Sequence, residues 1–299
     1  MLFNPLPVIA FMKRVVAWML GAFVLAQAIA LAVGSRFIAI PEFQVLENPG
    51  DPANAVVFFA YILFSAIVLL FVLKYYRGKL LFTLIEIFLM VFTLQTLFSL
   101  AMPELHALVL AIIIVAAKFK VKHLRSLLLL IATSVVGALI GTWIDLLPAI
   151  ILAVLLSAYD IIAVFYTKHM IALAKGLDDR EASFSISFAL VDEKKVREGK
   201  KGMKSALEAK PDKSGNLPEW HGKFIELGTG DMVVPAVLTV AALKQSFPLA
   251  IACFAGSIAG LLLLFYLLEK RHGYWPALPP IVGGCLAGMA LFTIATRLL

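Results

Sequence analysis

Charge is what this sequence has least of. Only 15% of its 299 residues are Asp, Glu, Lys or Arg, well below the roughly 25% of a soluble globular domain. That deficit excludes an ordinary soluble fold, and the 62% of hydrophobic residues excludes disorder, which needs the opposite balance. Cysteine is nearly absent. Cys253 and Cys285 both sit in apolar runs, so they form neither a disulfide framework nor a paired-cysteine zinc motif. The 19 glycines and 14 prolines fall in no collagen-like period. What remains is a chain of mean hydropathy +0.97, an integral membrane protein. In such a chain a net charge of +7 reports orientation before it reports a partner, and no nucleic acid is implied.

A hydrocarbon core of about 30 Å takes roughly 20 apolar residues as a helix. Nine runs meet or approach that length, at 15–34, 55–73, 80–100, 103–117, 126–143, 146–167, 224–242, 248–268 and 276–296. They predict an all-α polytopic fold of nine transmembrane helices. The fourth is short, and the fifth and sixth are separated only around Asp145. In the first, Lys13 and Arg14 precede an apolar stretch reaching Ala26-Gln27-Ala28, as in a cleavable signal peptide. The apolar run continues past that triplet, so it reads as an uncleaved span.

Lys and Arg are retained on the cytoplasmic side of a membrane. With the N-terminus inside, 23 of the 26 fall on that side, leaving Arg36, Lys244 and Arg297 outside. The chain is therefore predicted to be multi-pass, with a cytoplasmic N-terminus and an extracytoplasmic C-terminus. Residues 168–223, with twelve basic and nine acidic side chains, form a hydrophilic cytoplasmic loop. It separates a six-span part, 1–167, from a three-span part, 224–299. Within it Phe184, Ile186 and Phe188 alternate with Ser185 and Ser187, a period of two that predicts a short strand.

An ionisable side chain inside a span costs at least about 2.5 kcal/mol on insertion scales, so each one is a functional candidate. Four acids qualify: Glu86, Asp145, Asp160 and Asp231. Asp145, at an outer junction beside Trp143, reads as a solvated turn residue. Glu86, seven residues after Lys79, reads as a bundle-facing structural contact. Asp160 and Asp231 match each other in depth: one lies eight residues before Lys168 and the other eight after Lys223, about 12 Å below the cytoplasmic boundary at helical rise. If the segment before Asp231 is extended, as Gly228 and Gly230 favour, Asp231 opens its helix, where backbone donors and the dipole suit a carboxylate.

Two carboxyls in contact do not both ionise easily, so they share a proton and supply one base and one acid. The base can activate water against a peptide carbonyl while the acid protonates the leaving amine. The same acids would equally serve a proton- or ion-coupled transporter, and spacing does not choose between the two.

The neighbouring residues add a resemblance. Tyr159-Asp160 and Gly228-Thr229-Gly230-Asp231 resemble the YD and GxGD motifs of the presenilin and signal peptide peptidase family of intramembrane aspartyl proteases. Pro276-Ala277-Leu278 resembles that family's PAL motif. The motifs fall in the family's order on the sixth, seventh and ninth spans, and the resemblance covers essentially the whole chain. It implies a presenilin-like fold, transmembrane polypeptide substrates, and Asp160 and Asp231 as the catalytic pair. It also implies that Pro276, Ala277 and Leu278 border the active site and help place substrate. Neither a metal nor an organic cofactor is implied. Prepilin peptidases share a GxGD-like signature, but this chain has no CxxC pair and does have the PAL triplet. The inside N-terminus is similar to presenilin rather than signal peptide peptidase. The compact termini resemble an archaeal homologue, which implies action without accessory subunits. The family's cleavage within the long loop is not carried over to a loop this hydrophilic.

The other polar and small residues have structural readings. His106, His123, His169, His221 and His272 flank spans without ligand spacing. Gly137 with Gly141, Gly256 with Gly260 and Gly284 with Gly288 give the small-xxx-small spacing of close helix contacts. The basic run from Lys118 to Arg125 reads as a solvated loop, within reach of lipid head groups.

Overall fold

The computed structural model describes residues 6–76, 78, 80–167, 185–186, 227–270 and 275–298. Among them are nine α-helices: α1 (Leu6–Ile38), α2 (Ala53–Tyr75), α3 (Leu80–Phe98), α4 (Glu104–Ala117), α5 (Lys122–Trp143), α6 (Leu146–Ile162), α7 (Thr229–Leu243), α8 (Phe247–Lys270) and α9 (Leu278–Leu298). The nine predicted runs are these nine helices. Seven are long and apolar enough to cross a membrane, whereas α4 and α7 are shorter. A π-helical turn, Ala163–Thr167, follows α6. Apart from Ser185–Ile186, the loop 168–223 lies outside the described residues, as do His169, His221, His272 and the rest of the predicted strand.

Several boundaries differ from the sequence reading: α1 starts at Leu6 rather than 15, α5 starts at Lys122 rather than 126, and α6 ends at Ile162 rather than 167. The seventh helix starts at Thr229 rather than 224, because Leu227–Gly228 is extended and pairs antiparallel with Ser185–Ile186. The ninth starts at Leu278, leaving Pro276 and Ala277 outside the helix.

α7 is the hub of the bundle. It packs against α5, α8, α1, α6 and α9, and from Val234 to Ala242 every side chain is buried. A helix apolar on all sides must be enclosed. At fifteen residues, about 22 Å of rise, it need not reach both membrane faces. By contrast α2 leaves Tyr61, Phe64, Ile67 and Phe71 exposed, as a lipid-facing surface requires.

Lipid is as apolar as leucine, so contact between spans relies on close packing of small residues. Gly137 and Gly141 on α5 abut α7: a Cβ at Gly137 would stand 2.6 Å from Ala236 Cβ, and one at Gly141 2.8 Å from the Val237 carbonyl oxygen. Between α8 and α9 the fit is tighter. Cβ atoms at Gly256, Gly260, Gly284 and Gly288 would overlap the backbone oxygens of Gly284, Pro280, Gly256 and Ala252 respectively. The glycine pairs therefore serve contacts within one chain.

Candidate active site

α6 and α7 bring their acids to the same end of the bundle. Asp160 lies two residues before the end of α6 and is buried. Asp231 is the third residue of α7 and half-buried. The two carboxyls are near enough for the charge on Asp160 to act on Asp231. The π turn directly after α6 breaks the regular ladder next to Asp160, a feature often found at functional sites.

Each carboxylate is held by a backbone amide from another motif residue. α9 begins Leu278-Pro279-Pro280, so two of its first three residues have no N–H to donate. The remaining amide, on Leu278, donates to Asp160 Oδ2 at 3.1 Å, and the Ala277 amide acts on the same carboxyl. Asp231 reaches back to the start of its own helix, where Oδ2 accepts the Gly228 N–H at 3.2 Å, the carboxylate half of a capping box. A Cβ at Gly228 would lie 3.1 Å from that oxygen, whereas one at Gly230 would meet nothing within 4 Å. Close approach thus accounts for the first glycine of the motif but not the second, which lies exposed in the first turn of α7.

The remaining motif residues adjoin these along the chain. Pro276 is buried, and Ala277 and Leu278 are half-buried, packed on different apolar clusters. Trp275 meets Phe165 of the π turn edge-on, with ring centroids 6.2 Å apart. Tyr159 sets its ring edge-on against Phe59 of α2 at 6.4 Å, and Thr229 opens α7. Among the described residues no group of three His, Cys, Asp or Glu side chains converges to hold a metal ion.

Residues 20–298 match the family described as signal-peptide peptidase, presenilin aspartyl protease. The chain belongs to this family. It is an intramembrane aspartyl protease, a hydrolase of transmembrane substrates. The match favours hydrolysis over the transport that spacing left open. No curated protein matches the chain. Two solved structures of a presenilin family intramembrane aspartate protease share its fold. One, in space group C222, superposes with a TM-score of 0.65 at 20% identity over 94% of this chain and 99% of that one. The other, in space group P2, gives 0.62 at 23% identity over 93% and 96%.

The protease's other membrane acids lie apart from this pair in the contacts they make. Glu86 is buried and bound by Arg125 through two hydrogen bonds, at 2.9 and 3.0 Å, and by Lys118 at 3.3 Å. It ties α3 to α4 and α5, as a structural contact should. Asp145, the N-cap residue of α6, is partly exposed but is ion-paired to Lys244 rather than merely solvated. Lys118 and Arg125 are consequently not free loop charges.

One set of polar residues was not read from the sequence as part of the site. Gln27 of α1 is fully buried and donates from Nε2 to the Met232 carbonyl at 3.2 Å. Thr239 of α7, also fully buried, donates to Gln27 Oε1 at 3.5 Å. The available signal was an amide in an otherwise apolar span, where a polar group must find a partner.

Proposed function

We propose that Asp160 and Asp231 are the catalytic pair of this protease, cutting peptide bonds inside transmembrane segments. The observation that carries this reading is the pairing of the two acids at one end of α6 and α7, with the Leu278 amide fixed on Asp160. One carboxylate removes a proton from water as it attacks the scissile carbonyl. The other, protonated, donates to the developing oxyanion and then to the leaving nitrogen. The amides of Leu278 and Gly228 each hold the Oδ2 of one carboxyl, and so orient the pair toward water and substrate. A peptide carbonyl in an intact helix is occupied by its own ladder, so substrate must unwind to be cut. Tyr159, Thr229, Gly230, Pro276, Ala277 and Leu278 line the approach and orient the unwound segment.

The basic residues support a cytoplasmic N-terminus and loop and an extracytoplasmic C-terminus. Water then enters from the cytoplasmic side, and substrates are spans with their N-terminus outside. The organisation is a six-span part (1–167) carrying the first aspartate, an uncut hydrophilic loop (168–223) and a three-span part (224–299) carrying the second. The protein acts in lipid without metal, organic cofactor, nucleic acid or accessory subunit. The test is inhibition by a peptide isostere bearing a hydroxyl at the scissile position, which mimics the tetrahedral intermediate. Tight inhibition, lost in Asp160→Asn and in Asp231→Asn, is expected. Absence of isostere binding by a protein that cleaves a single-span substrate would refute the paired-carboxyl mechanism.

A further inference from the structure

α7 carries Asp231 in its first turn and a proline, Pro235, four residues later. A proline has no N–H, so the Asp231 carbonyl lacks its i+4 donor and one rung of the helix ladder is missing. The turn bearing the carboxylate is therefore joined to the rest of α7 by a weakened ladder. Gln27 spans that break from a different helix. Its Nε2 holds the carbonyl of Met232, the residue after Asp231, and its Oε1 accepts from Thr239, four residues beyond Pro235. Carbonyls in a helix point toward the C-terminus and side chains lean toward the N-terminus, so one amide can meet both at the level of the proline. Gln27, Met232 and Thr239 are all fully buried, so water does not compete for these bonds.

We infer that Gln27 is a positioning residue for Asp231: its amide clamps α7 across Pro235 and fixes the direction of the turn that presents the carboxylate to Asp160. This rests on the assignment of Asp231 as catalytic. It differs from general adhesion between spans, which would stabilise the bundle without favouring the chemical step. An apolar side chain of similar size at position 27 leaves Met232 its own helical hydrogen bond, and Thr239 can turn to the carbonyl four residues back. Stability should then change little while geometry relaxes.

The test is steady-state cleavage of a single-span substrate in detergent by wild type, Gln27→Leu, Gln27→Asn and Thr239→Val, with the thermal midpoint of each. Gln27→Leu should lower kcat about tenfold, as expected for a catalytic group displaced by a fraction of an ångström, with KM and midpoint close to wild type. Gln27→Asn, whose amide falls one methylene short, should lose as much. Thr239→Val should lose less, and should add nothing to Gln27→Leu in the double variant. Full kcat in Gln27→Leu, kcat losses that track the midpoints, or failure of both Gln27→Leu and Thr239→Val to fold would overturn the inference. Asp231→Asn in the same assay separates the two levels. If it still cleaves, the catalytic assignment is wrong; if it is inactive while Gln27→Leu is fully active, only the role of Gln27 is wrong.

Discussion

Gly260 links the packing of α8 on α9 to the proposed active site. It faces Pro280, two residues beyond the Leu278 amide that donates to Asp160. In Gly260→Ala the new Cβ would overlap the Pro280 carbonyl oxygen and stand 2.8 Å from Ile281 Cα and 2.9 Å from Pro280 C. All three are backbone atoms, so no rotamer change relieves the overlap and the helices must part. Reaching an ordinary carbon contact of about 3.5–4 Å takes a shift on the order of 1 Å, and such overpacking costs about 1–3 kcal/mol. The same shift stretches the 3.1 Å bond from Leu278 to Asp160 to roughly 4 Å, beyond hydrogen-bond range. A misplacement of that size lowers activity by up to about a hundredfold. Gly288→Ala overlaps the Ala252 carbonyl oxygen in the same interface, but ten residues along α9, about 15 Å from Leu278. It should lower the midpoint comparably and activity much less. Gly283→Ala meets nothing within 4 Å and should be neutral or gain up to about 1 kcal/mol from helix propensity. The assay pairs cleavage of a single-span substrate with thermal unfolding in one detergent. Wild-type behaviour of Gly260→Ala, or equal damage from Gly283→Ala, would refute the reasoning.

Three further outcomes are expected. Leu278→Pro removes the N–H that reaches Asp160 at a helix start where proline is tolerated; its cleavage should fall about tenfold below that of Leu278→Ala, the value of one hydrogen bond to a charged group, and equal activities would contradict it. Glu86→Ala strands the buried Lys118, and unfolding should show a loss of about 3 kcal/mol, with Arg125, a third exposed, contributing little. Cysteines placed among Lys194–Lys204 should react with an impermeant reagent only from the cytoplasmic side, and labelling from outside would reverse the orientation.

The helix count, the pairing of two acids and the presence of three motifs were all legible in the sequence, because each is written in local chemistry. Apolar runs of membrane length fix helices, and a carboxyl inside one stands out by its cost. The start of α7 was less legible, since it depends on Leu227–Gly228 pairing with residues 185–186, a contact across a long loop. The Leu278 amide on Asp160 was out of reach for a similar reason: Pro279 and Pro280 announce missing donors, but only the fold shows where the remaining one points. Gln27 was read as part of a small-residue triplet, although its amide is among the most enclosed polar groups in the bundle. Lys118 and Arg125 read as loop charges, and only the proximity of α3 gives them Glu86 as a partner.

The most direct measurement is cleavage of a single-span substrate by purified Asp160→Asn and Asp231→Asn beside wild type. Asparagine keeps each side chain's size and one acceptor oxygen for its backbone amide, but can neither ionise nor exchange the proton. Both variants should fold and extract as wild type does while cleavage falls to background. Substantial cleavage by either variant alone would contradict a mechanism in which the two carboxyls divide the work of acid and base.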